Sequence, residues 1–138
     1  MADRLQNFIK YLQFPEPPAK DDLAKEIEGL HPDDLVPQLL ELINETDSVL
    51  TKQAAIDVLT HLRDSTTLKP LLDLILNEED ANLRKTAIKS VGVLGYTEAI
   101  PTLEKVMNRT GDTNLIQICS QVIQVLQGVT SLLSLEEL

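Results

Sequence analysis

The chain has no tryptophan, one cysteine and four aromatic rings (two Tyr, two Phe) among 138 residues. A core must therefore be built from Leu, Ile, Val and Ala. These suit helix-on-helix packing, whereas sheets lean on aromatic and β-branched side chains. Cys119 alone cannot close an internal disulfide, which points to a reducing, cytoplasmic setting. No apolar run has the length needed to span a bilayer. The opening MADRLQNFIK has no apolar h-region, which reads as a chain without a secretory leader. Positive charge is scarce too: 12 Lys and Arg against 22 Asp and Glu give a net charge of -10. That balance repels phosphate backbones and anionic lipid, so neither nucleic acid nor membrane insertion is expected.

Catalytic chemistry is equally thin. His31 and His61 stand apart from cysteine or a spaced carboxylate cluster, so no metal site is expected. Cys119 has no basic neighbour at Gln117, Ile118, Ser120 or Gln121 to activate a thiolate, and reads as a small core residue. Gly92 and Gly95 lack the following Lys of a phosphate loop. The expectation is a chain with no catalytic residues and no cofactor.

What is present is a repeat. Three segments place a proline near the start of an apolar-periodic helix: LVPQLLELIN (35–44), LKPLLDLILN (68–77) and AIPTLEKVMN (99–108). The prolines are Pro37, Pro70 and Pro101, tolerated in a first helical turn where the missing N–H costs nothing. Apolar residues follow at Leu39, Leu42 and Ile43, at Leu72, Ile75 and Leu76, and at Leu103, Val106 and Met107. Asn44, Asn77 and Asn108 close the segments, and asparagine accepts left-handed geometry at a helix end. Asp47, Asp80 and Asp112 then supply a capping turn. Second helices follow in KQAAIDVLTHL (52–62), RKTAIKSVGVL (84–94) and IQICSQVIQVL (116–126), offset by 32 residues at each step. They align small residues at Ala55, Ala87 and Cys119, then larger ones at Leu59, Val91 and Ile123 and at Leu62, Leu94 and Leu126. That spacing makes one apolar stripe.

The unit DANLRKTAIKSVGVLGYTEAIPTLEKVMN (80–108) resembles the HEAT-like repeat family, in the short-period form of phycobilisome lyases. Its Asp80, Arg84, Ala87 and Leu94-Gly95 carry the likeness. Arg63-Asp64 replaces the glycine in the first unit; Ile116 and Gln127-Gly128 depart in the third. The resemblance implies an all-α, right-handed α-α superhelix of about three two-helix repeats. It also implies a protein-binding scaffold or, as an alternative, an accessory subunit of a bilin lyase or a phycobilisome assembly or degradation factor.

The organisation expected is an N-terminal helical cap over 1–34, repeats over 35–127 and a C-terminal cap over 128–138, as one domain. In the first cap, a helix over 3–14 carries Leu5, Phe8, Ile9 and Leu12 on one face. The FPEPP break (14–18) follows, then a short helix ending at Gly29. Tyr11 and Phe14 are candidate exposed anchors for a partner. The Leu-rich C-terminus is a candidate homo-oligomer contact.

In HEAT-like solenoids the second helices line the concave face. Three rows follow there: Gln53, Lys85, Gln117; Asp57, Lys89, Gln121; Thr60, Gly92, Gln124. With Lys52 and Arg84 they form a candidate partner-binding surface, basic in the middle and uncharged at Gln117, Gln121 and Gln124. The opposite character belongs to residues 16–48, where ten acidic residues face Lys20 and Lys25.

Overall fold

A computed structural model describes residues 2–13, 25 and 27–129. Every regular element among them is helical. The α-helices are α1 (Ala2–Leu12), α2 (Pro32–Glu45), α3 (Val49–Leu62), α4 (Leu68–Asn77), α5 (Ala81–Leu94), α6 (Ile100–Arg109) and α7 (Thr113–Leu126). Short 3-10 turns, Ser65–Thr67 and Thr97–Ala99, lead into α4 and α6. The all-α architecture of adjacent helix pairs expected from the repeats is the one observed.

Packing groups the chain into two compact units, Met1–Asp64 and Ser65–Leu138. In the first, α2 packs on α3 and α1 touches both. In the second, α4 pairs with α5 and α6 with α7, while α4 meets α6 and α5 meets α7. Like helices are therefore neighbours, the arrangement of stacked repeats.

Capping sets the second helices. The α3, α5 and α7 helices each run 14 residues and begin 32 apart, at Val49, Ala81 and Thr113. Their N-caps are Ser48, Asp80 and Asp112. Ser48 Oγ accepts from the N–H of Thr51 at 3.2 Å and Asp80 Oδ1 from that of Leu83 at 3.0 Å. Asp112 Oδ1 accepts from Asn114 and Leu115 at 2.9 and 3.3 Å. The cap of the first unit is thus Ser48, one residue beyond the expected Asp47. A second layer repeats two residues earlier. The side chains of Thr46, Glu78 and Thr110 accept from the cap residues' own N–H groups at 3.1–3.2 Å. Each turn between paired helices is thereby closed twice by chain-local bonds.

The first helices correct the expected register. Positions 32 apart are buried together: Leu35, Thr67 and Ala99 at 0%, and Leu39, Leu71 and Leu103 at 0–1% exposure. The middle segment is therefore Leu71 and Ile75 inward; Leu72 and Leu74 are half-buried and Leu76 is exposed. Pro37 and Pro101 occupy equivalent positions, and Pro70 stands one residue further on. The α2 helix also starts three residues early, because His31 caps Asp33's N–H through Nδ1 at 3.2 Å and Pro32 takes the first turn. That places Pro37 inside the helix. Pro37 and Asp33 are both exposed, so water can serve the carbonyl that loses its i+4 donor.

Helix ends differ from expectation as well. Asn44, Asn77 and Asn108 are not left-handed; the C-caps Thr46, Glu78 and Thr110 are extended. Left-handed residues end the second helices instead. Gly95 (φ 74°) closes a pair of hydrogen bonds, Gly95 N–H to Gly92 O and Tyr96 N–H to Val91 O. Arg63 (φ 54°) adopts the same region without glycine's freedom, and makes the single bond to Leu59 O. In the third unit Gln127 stays helical and Gly128 (φ 77°) takes the turn one residue later, with Val129 N–H reaching Gln124 O at 2.8 Å.

In the first cap, Phe8 and Leu12 are buried and Ile9 half-buried, in keeping with one apolar face. Gly29 is left-handed (φ 86°). The rest of the short second helix, the FPEPP break, Phe14 and most of the C-terminal cap lie outside the described residues.

Candidate functional site

The second helices are buried on one side only. Their inward positions are Thr51, Leu83 and Leu115; Ala55, Ala87 and Cys119; Val58, Ser90 and Val122, all under 9% exposed. Leu59 and Val91 are buried as expected. The stripe extends one turn further towards the N-terminus than expected, and Ile123, Leu62, Leu94 and Leu126 are only half-buried. What faces away depends on the unit. On α3, Lys52, Gln53 and Asp57 are half-buried, and each is engaged in polar contact. They belong to the first unit.

In the second unit, packing of α5 against α7 brings Arg84, Lys85 and Lys89 onto a helix next to Gln117, Gln121 and Gln124. The three cations and Gln121 are half-buried; Gln117 and Gln124 are exposed. Lys89 and Gln121 already have polar partners. The expected third row breaks, because Gly92 is buried and presents nothing to solvent. Tyr11 is half-buried and engaged rather than an exposed anchor.

Arg84 has a structural task. Its Nε donates to Ile75 O at 3.0 Å, serving a last-turn carbonyl of α4 that lacks an intrahelical partner. This bond ties α5 to α4. It also holds a cation near Cys119, where burial pushes the thiol up from 9.0 to about 11 and the Arg84 charge pulls it partly back. Such a thiol stays protonated in the fold while the unfolded chain loses its proton near 9. Stability from this group is thus complete below pH 9 and declines as pH rises towards 11. A gap of about two pH units predicts that native Cys119 reacts with a disulfide reagent at pH 8 at least about a hundredfold slower than in urea. Equal rates in stopped-flow labelling would contradict this buried, protonated state.

A cleft of about 160 Å³ opens between the first turns of α5 and α7. Its polar lining includes Asn82, Arg84, Lys85 and Asn114 together with the carboxylates of Glu79 and Asp112, and Leu115 and Ile118 form apolar wall. Hydrophobic periodicity does not single out Asn82 and Asn114. They are exposed, 32 residues apart, each two positions after a capping Asp. The repeated Asp-x-Asn, at 80–82 and 112–114, was the available signal. In the first unit the matching position is Leu50, 56% exposed beside Val49 at 38%.

Among the described residues no three His, Cys, Asp or Glu side chains gather as a metal-binding group, and no helix is long and apolar enough to cross a membrane. A family model described as HEAT repeats matches residues 36–124, well over half of the 138-residue chain. No curated protein matches the chain, and no solved structure does.

Proposed function

Because the chain belongs to the HEAT-repeat family, we propose that it is a non-catalytic protein-interaction scaffold, an adaptor or assembly factor that docks its partner on the solvent-facing side of the second helices α5 and α7, the concave face of a HEAT-like array. The supporting observation is the composition of α5 and α7. Their inner sides are fully buried. Their remaining polar surface holds three cations, amides and hydroxyls, and no acidic side chain, within a chain of net charge -10. Amides and half-buried lysine stems are cheaper to desolvate than carboxylates, which suits an interface core. The lone buried Cys119 suits a reducing cytoplasm.

The test is capture of partners from the native host by the unaltered chain and by a Lys85→Glu, Gln117→Glu variant. Both positions are solvent-accessible, so the fold and its melting temperature should hold. Loss of about tenfold or more of a specific partner, quantified by mass spectrometry, is expected. Undiminished capture would move the docking surface elsewhere.

A further inference from the structure

Resting on that reading, we infer that the cleft between α5 and α7 receives an extended acidic segment of the partner, its backbone held by Asn82 and Asn114 and a carboxylate by Lys85. The cleft's volume, about 160 Å³, is well below the roughly 300–1,000 Å³ of small-molecule sites. Its occupant is therefore a residue or two of a chain passing over it.

The two asparagines set the conformation of that chain. They occupy equivalent positions on neighbouring helices, and neither side chain is engaged among the described residues. Packed helices stand about 8–10 Å apart. A polyproline II segment rises about 3.1 Å per residue and returns the same face every three residues, a step of roughly 9 Å. A β-strand returns its face every second residue, about 6.6 Å, and falls out of step. A polyproline II backbone also leaves its polar groups unpaired. An asparagine amide offers both a donor and an acceptor to them.

Charge chooses the side chains. Lys85 is half-buried and makes no ion pair among the described residues. No carboxylate stands on α5 or α7 to compete for it. Of the two acids in the lining, Asp112 is committed to the N–H groups of Asn114 and Leu115. That leaves Glu79 as the one uncommitted carboxylate of the lining, against the two cations Arg84 and Lys85.

The probe is a fluorescein-labelled peptide of Glu-Pro-Pro triplets, with Lys-Pro-Pro and Gln-Pro-Pro peptides beside it, read by anisotropy at low salt. The acidic peptide is expected to bind at least about tenfold tighter than the basic one, and Lys85→Glu to reverse that order. Asn82→Ala with Asn114→Ala should weaken all peptides about tenfold and keep the order, with the circular-dichroism melt unchanged. Three results would overturn the inference: no binding, tighter binding of the basic peptide, or indifference to Lys85→Glu. If the acidic peptide fails while the Lys85→Glu, Gln117→Glu chain still loses its native partner, the scaffold reading stands and the assigned guest chemistry falls.

Discussion

Leu71→Ala is expected to cost the second unit about 2–5 kcal/mol, and Leu72→Ala only about 1 kcal/mol. Leu71 is 1% exposed and stands in line with Leu39 and Leu103, both at 0%. Removing its side chain leaves a cavity where α4 meets α5 and α6, and the surrounding helices, fixed by their caps, can close it only in part. Leu72 is half-buried, so truncation sacrifices part of one side chain's transfer energy without an enclosed void. Counting from Pro70, as the sequence invites, predicts the reverse order. Urea denaturation of both variants therefore measures the register directly. A larger loss at Leu72 would mean that the middle repeat is set by its proline after all. A loss of the size expected at Leu71 is also a sizeable share of the roughly 5–15 kcal/mol that holds a typical domain folded.

The reason the prolines mislead is physical. A residue anywhere in a helix's first turn has no intrahelical N–H bond to lose, so proline marks a turn and not a position. Pro101 sits second in α6 and Pro70 third in α4. Nor does hydrophobic matching find the row of Leu35, Thr67 and Ala99, which share full burial without sharing character. Thr67 manages it because its hydroxyl meets the Tyr96 hydroxyl at 3.2 Å, a bond across 29 residues that no local pattern announces. The second helices were legible because their determinants are local: a cap residue that accepts its own helix's N–H, and a small residue seven positions later. Even there letter-matching chose Asp47 over Ser48, although both types cap well. The turn residues Thr46, Glu78 and Thr110 were invisible for a related reason. They differ in chemistry and agree only in offering an oxygen to the next cap.

The surface was legible to a similar depth. Alignment by 32 placed Lys85 and Gln117 on one accessible face, and structure kept them there. Burial removed Gly92 from that face, and the bond to Ile75 O gave Arg84 a structural role. Whether a polar side chain on a repeat helix is available or spent depends on the neighbouring helix. That information enters only with packing.

Ala87→Leu follows from the same packing, with an expected loss of about 1–3 kcal/mol. Ala55, Ala87 and Cys119 are all at 0% exposure, so the repeat admits only a small side chain here. On α5 this position faces inward in a helix that packs on both α4 and α7. Added methylenes have no void to enter, and must either adopt a strained rotamer or push a neighbouring helix away. Displacing α4 would also pull Ile75 O from Arg84, so the damage would spread along the α4–α5 seam. Leucine matches alanine closely in helix propensity, so the change cannot be blamed on α5 itself. The control is Ala81→Leu, at the exposed start of the same helix, which should shift stability by no more than about 0.5 kcal/mol. Equal melting temperatures for the two variants would show that the small inner position is not a point of close approach, and that bulk rather than size-matching sets the spacing of these helices.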